Sequence, residues 1–200
     1  MILLEKQEQS ADLHRIFCEI LDKPPSHNVH QQLEPKQPLI QKDLDASIQS
    51  ISDPVTKLGI ESLAKRVFWM GGNRYHPGGF IVSGYSFAEI IGKSGIYFYD
   101  SLRMGLFVQA PRNDYPAHAH DSEEWYLILS GSAKWIINDQ TFHAEEGHFL
   151  HHPPCASHRF VTSDQPLLAL WIRTGNIQGR YWFVGHEDVA QIGEKWQQLT

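Results

Sequence analysis

The chain has 200 residues, 42% of them hydrophobic, including six Trp and ten Phe, enough to bury the core of one domain with a modest extension. A formal charge of −6 argues against a general nucleic-acid binder or a membrane-surface protein. Two cysteines, Cys18 and Cys155, are too few for a disulfide framework and read as reduced thiols. No stretch approaches the roughly 20 apolar residues of a membrane span. The N-terminal run Met1–Lys6 is too short for a signal peptide and is interrupted by Glu5. A cytoplasmic protein is expected.

Residues 1–75 read as a helical extension. Ser10 can cap a helix whose Leu13, Ile16, Phe17, Ile20 and Leu21 follow the three-four spacing of one buried face. Pro24-Pro25 ends it, and a polar segment with Pro35 and Pro38 follows. Asp43 is expected to begin a short helix carrying Leu44, Ile48 and Ile51. Asp53-Pro54 is a good N-cap and first-turn pair for another, burying Val55, Leu58, Leu63 and Val67 and ending at Gly71-Gly72. These faces need a partner, either the outside of the following domain or a second subunit.

Residues 76–200 are expected to form a β domain. Short β-rich runs occupy Phe80–Ser83, Ile96–Tyr99, Met104–Val108, Glu124–Leu129, Ala133–Ile137, Arg159–Thr162, Leu167–Arg173 and Arg180–Val184. Turn residues separate them, including Gly131, Asn138-Asp139, Gly147 and Gly175-Asn176. Many short strands with close turns predict a jelly-roll sandwich or barrel. Glu187–Gln198 is read as a closing helix.

Within this domain, Tyr115–Tyr126 concentrates the chemistry. Alternation along a strand puts His118 and His120 on one face. A turn at Asp121-Ser122 can bring the next strand back antiparallel, so that Glu124 and Tyr126 face the same interior. Imidazole nitrogen and carboxylate oxygen suit a borderline divalent ion. His158 is the best candidate to add a ligand from elsewhere. His118 is either a ligand or a group beside the ion that carries a proton. Tyr126, two residues beyond Glu124, should reach the same cavity, where a dication would ease loss of its proton. It would then serve as ligand or general base, with Tyr115 the competing base. His143, His148, His151 and His152 are read as solvent or rim histidines, and Cys155 as a small packing residue.

These residues resemble the cupin superfamily. The pattern H-x-H-x(3)-E-x(6)-G is matched by His118, His120, Glu124 and Gly131. The pattern G-x(5)-P-x-G-x(2)-H-x(3)-N is matched by Gly147, Pro153 and His158, with Cys155 in place of its second glycine and Thr162 in place of the asparagine. The opening glycine of the first motif is not matched, since Gly105 lies farther back. The resemblance implies a mainly β fold, a single cupin jelly-roll barrel behind the helical extension, holding one divalent transition metal ion (Fe, Zn, Mn or Ni). A homodimer is compatible with such a barrel.

The longer pattern Y-x-x-H-x-H-x(3)-E-x-Y, with a histidine about thirty residues on, resembles the bacterial cupin-type dimethylsulfoniopropionate lyases. That resemblance implies a small zwitterionic substrate, split into dimethyl sulfide and acrylate by β-elimination. His120, Glu124 and His158 would hold the metal, with His118 nearby or ligating, and Tyr126 would leave the metal to act as base. The cationic sulfonium should prefer aromatic faces, for which Tyr97, Tyr99, Phe107, Trp171 and Trp182 are candidates or else core residues. Two other readings fit a cupin: an Fe(II) dioxygenase, and a metal- or ligand-binding protein without catalysis.

Overall fold

Four runs rich in apolar residues lie side by side in the centre of one sheet of the computed structural model, which describes residues 11, 14–29, 33–72, 74–192 and 195–198. In chain order the strands are β1 (Ser26–His27), β2 (Trp69–Gly71), β3 (Arg74–His76), β4 (Phe80–Val82), β5 (Tyr85–Ile91), β6 (Tyr97–Phe98), β7 (Leu102–Gln109), β8 (Asp114–His120) and β9 (Ser122–Ser130). They continue as β10 (Ser132–Ile137), β11 (Gln140–Glu145), β12 (Phe149–His152), β13 (His158–Thr162), β14 (Leu167–Gly175), β15 (Arg180–Phe183), β16 (Val189–Ile192) and β17 (Lys195–Gln198). The first sheet runs β1-β6-β5-β7-β14-β9-β12, with β2 added on β5; the second runs β11-β10-β13-β8-β15-β16-β17. β3 and β4 pair with each other as a separate ribbon. The fold is therefore mainly β, with two main sheets in a jelly-roll.

The central strands of the first sheet are covered on both faces, so their middle positions are mostly apolar on both sides. On β9, Trp125 and Leu129 face outward into one core, while Tyr126 and Ile128 face the opposite sheet. On β14, Leu168 and Ile172 face out and Ala169 and Trp171 face in.

The outer core is closed by the N-terminal segment. Helix α1 (Gln41–Gln49) contributes Leu44 and Ile48, α2 (Pro54–Ala64) contributes Ile60, and the helical residues 14–22 contribute Ile16. Their partner is the outside of the first sheet. Asp53 caps α2 by accepting a hydrogen bond from the Thr56 N–H at 2.7 Å, with Pro54 opening the helix. Ser130 at the end of β9 donates to the Ser47 carbonyl at 2.7 Å and fixes α1 to the sheet.

Several expectations are corrected. Val55 and Leu58 are 80% and 70% exposed, because α2 turns Ile60 and Leu63 to the sheet instead. Phe17 and Leu21 are likewise exposed; Ser10 and Leu13 lie outside the described residues. The region 1–75 also holds strands β1 and β2, which extend the first sheet. Strands β3, β5, β11 and β12 were not expected. Glu187–Gln198 contains no closing helix: β16 and β17 pair antiparallel there, continuing the second sheet beyond β15.

The turn after His120 is also different in kind. β8 and β9 do not pair with each other. β8 pairs with β13 and β15, and β9 with β12 and β14. Asp121 is thus a corner between sheets rather than the tip of a hairpin. Its carboxylate accepts from the Arg180 backbone N–H at 2.9 Å and from the Arg180 guanidinium at 3.1 Å, which pins the corner to the start of β15.

Candidate metal centre

The corner brings side chains of both sheets together. β8 supplies His118 and His120 and β13 supplies His158, directly opposite His118 in register, with ring centres 4.0 Å apart. β9 supplies Glu124 from the other sheet. The ligand atoms of His120, Glu124 and His158 lie within 4.8 Å of one another, and all three residues are buried. His118 stands against this trio without belonging to it.

The hydrogen bonds decide which ring nitrogens carry protons. Nδ1 of His118 faces the Pro116 carbonyl at 2.9 Å, that of His120 the Ser122 carbonyl at 2.8 Å, and that of His158 the Ala156 carbonyl at 3.0 Å. A carbonyl only accepts, so each Nδ1 donates and each Nε2 presents a lone pair. Two of those lone pairs meet one carboxylate oxygen: Glu124 Oε2 is 3.0 Å from His120 Nε2 and 3.2 Å from His158 Nε2. Acceptor against acceptor is repulsive in a buried site unless a cation or proton lies between them. Burial, with Arg173 adding to it, lowers the His120 pKa to about 4, so a proton is not held there at neutral pH. The donor set therefore fits a divalent metal, with backbone carbonyls fixing the histidine tautomers from behind.

Two further residues complete the arrangement. Arg173, directly across from Glu124 on β14, donates from Nε to Oε1 at 2.6 Å. Burial works against the Glu124 carboxylate, but Arg173 holds its pKa well below the usual range. His152 on β12 accepts from Trp135 Nε1 at 2.8 Å, which leaves its proton on Nδ1, 3.5 Å from Glu124 Oε2. Its ring stacks on His158 with 4.0 Å between centres. The rim placement expected for His152 is thus corrected. It sits wholly inside, and burial together with His158 brings its pKa to about 3.

Beside His120 and Glu124 the site opens into a cavity of about 850 Å³ lined by these two residues and by His118, Tyr126, Tyr115 and Arg173, among others. Glu124 is the sole acidic side chain in that lining among the described residues. The two tyrosines differ. Tyr115 Oη is 3.3 Å from Tyr181 Oη, whereas the Tyr126 hydroxyl makes no hydrogen bond to the described residues. Burial, then the Glu124 charge, pushes the Tyr126 pKa well above 10; burial and Tyr181 do the same for Tyr115.

A family model described as dimethylsulfoniopropionate lyase matches residues 8–169. The chain belongs to the dimethylsulfoniopropionate lyase family. The match includes every metal-site residue foreseen from the sequence and ends before Arg173 and Tyr181. A curated relative, the dimethylsulfoniopropionate lyase DddQ of Ruegeria pomeroyi, is 30% identical over 90 residues, 44% of this chain. That alignment spans about half (45%) of the relative's length. Among solved structures, one described with the DMSP lyases RdDddP and RnDddQII superposes with a TM-score of 0.65 at 21% identity, covering 97% of this chain and 95% of that one. DddQ from Ruegeria pomeroyi superposes with a TM-score of 0.61 at 20% identity, covering 90% and 96%. Both show that the fold is shared.

Family membership also draws attention to the aromatic wall. Of the candidates, Phe107 and Trp171 line the cavity; Tyr97 and Tyr99 belong to the outer core or its edge, and Trp182 lies under Arg180. Tyr85, Phe87, Tyr181 and Phe183 complete the wall instead. They come from β5 and β15, and β5 was not read as a strand at all. Two motif positions show why the motif favours glycine there. Cys155 adopts φ 63°, the left-handed conformation that the motif's glycine takes without strain, and its N–H donates to the His120 carbonyl at 2.8 Å. Gly131 has φ 78°, and a Cβ there would come within 2.0 Å of the Pro166 carbonyl oxygen.

Proposed function

We propose that this chain cleaves dimethylsulfoniopropionate to dimethyl sulfide and acrylate, with one divalent transition metal ion at His120, Glu124 and His158 and Tyr126 as general base. The observation that carries this reading is the Tyr126 hydroxyl, without a hydrogen bond to the described residues, on the wall of the cavity that also contains His120 and Glu124.

A bound dication would offset the negative charge that develops at the substrate carboxylate and favour the phenolate form of Tyr126. The phenolate takes the weakly acidic proton from the carbon next to the carboxylate. The electron pair forms the acrylate double bond as the carbon–sulfur bond breaks. Dimethyl sulfide leaves neutral, so no acid is needed. Tyr115 is the less suited base, because its hydroxyl lies beside that of Tyr181. His118, with Nδ1 held by Pro116, offers its Nε2 lone pair beside the trio as a further ligand or as the acceptor that relays the proton outward. The aromatic faces of Phe107 and Tyr85 are suited to the sulfonium end.

The test is headspace detection of dimethyl sulfide, with acrylate measured in parallel, after the substrate is added to metal-loaded protein. Absence of both products from protein carrying its full complement of metal would reject the reading. A second reading has its own support: two histidines and one carboxylate are the facial set of Fe(II) oxygenases. It requires substrate-dependent oxygen uptake, which a lyase does not show.

A further inference from the structure

The cavity holds several arginines, and their donors are used differently. Arg103 gives Nε and Nη2 to Glu89, and Arg180 gives Nε and Nη2 to Asp121. Arg173 gives only Nε, to Glu124 Oε1. Its Nη1 and Nη2 make no hydrogen bond to the described residues, although the side chain is only 20% exposed and lines the cavity. The guanidinium carbon lies 5.8 Å from the Trp171 ring centre and 5.9 Å from that of Tyr181, so aromatic walls border it and limit its hydration. Donors left over in this way, in a cavity whose acidic side chain is already engaged, are placed for an incoming anion.

We propose that Arg173 anchors the substrate carboxylate through its Nη edge while Nε holds Glu124. This rests on the lyase reading for the identity of the substrate, but the anion site itself does not. The planar fork can play both parts at once, because one guanidinium presents separate donors in fixed directions, to Glu124 on one side and to a carboxylate on the other. Other aromatic side chains of the cavity, Phe107 and Tyr85, are then left for the sulfonium. Carboxylate and cation are thus separated along the cavity. Arg173 is a binding residue for this reaction and a determinant of its preference for acids over neutral analogues.

Binding of propionate and of propionamide, which is similar in size and uncharged, is measured by calorimetry on metal-loaded wild type, R173K and R173Q, with metal content determined for each. Wild type should bind propionate at least tenfold more tightly than propionamide. R173Q should lose that preference. R173K is the decisive variant, because it keeps a charge beside Glu124 but cannot present two edges; it should retain metal, bind propionate several-fold more weakly and raise KM more than it lowers kcat. Unchanged propionate affinity in R173K and R173Q overturns the proposal. So does loss of metal from both variants, which would make Arg173 a holder of Glu124 only, or a wild type that does not distinguish the two probes. Arg173-dependent propionate binding in a protein that releases no dimethyl sulfide would sink the lyase reaction and leave the anchor standing.

Discussion

Trp135 Nε1 donates to His152 Nε2 at 2.8 Å, deep between the sheets, and so fixes which face of His152 turns its proton toward Glu124. Trp135→Phe removes that donor and leaves a buried acceptor unpaired, at a cost of about 1–3 kcal/mol. It frees His152 to change tautomer and should weaken metal affinity by about tenfold, at the low end for a residue that supports a ligand from behind. Thermal melting and competitive metal titration of the variant measure both; an unaltered metal affinity would disconnect this pair from the site.

Tyr126→Phe should keep stoichiometric metal and lower kcat by at least about 100-fold, the lower range for a lost general base. Tyr115→Phe should cost less, since its hydroxyl already has Tyr181 beside it. The opposite order in the measured kcat values would move the base to Tyr115.

His158→Ala removes a lone pair from the trio and should leave the purified protein with little metal by elemental analysis. Glu124→Gln should do the same. Glu124→Ala should in addition destabilise the fold by about 3–5 kcal/mol, because Arg173 would keep a buried charge with no counter-ion. Full metal content in both His158→Ala and Glu124→Gln would abolish the proposed centre.

Metal-free protein should lose stability as the pH falls from about 6.5 toward 4. His120 and His152 titrate near their ordinary 6.5 when unfolded, but at about 4 and about 3 when folded. Between those values the unfolded chain binds more protons than the native one, so acid favours unfolding and stability rises with pH. Glu124, whose pKa is also depressed, acts in the same direction at still lower pH. Melting temperatures of chelated protein should fall by on the order of 5 °C or more across this window; a flat profile would mean that these histidines are not buried and neutral.

Ile60→Ala should destabilise by about 2–4 kcal/mol, whereas Val55→Ala and Leu58→Ala should stay within about 0.5 kcal/mol of wild type. Denaturant titration separates the two faces of α2, and a large effect at Leu58 would indicate that another surface covers it.

What could be read in the sequence follows from how local each constraint is. Residue spacing within one strand brings His118 with His120, and Glu124 with Tyr126, so those pairs were legible. The cap at Asp53 is equally local. Strand β5 was missed because both of its faces are covered and Tyr85–Ile91 shows no alternation. Arg173 and His152 were missed because their partners, Glu124 and Trp135, are met only across strands. For α2, Val55 and Leu58 have helical spacing as good as that of Ile60 and Leu63, and only the docked sheet decides between the two stripes.

The corner at Asp121 has a mechanical consequence. Glu124 hangs from one sheet, and His120 and His158 from the other, so a cation seated among them rivets the two halves of the sandwich across their gap. Chelation should then be felt far from the chemistry, as faster amide exchange along β8, β9 and β13 together. A metal-dependent enzyme built in this way would lose rigidity and reactivity together when its cation is removed.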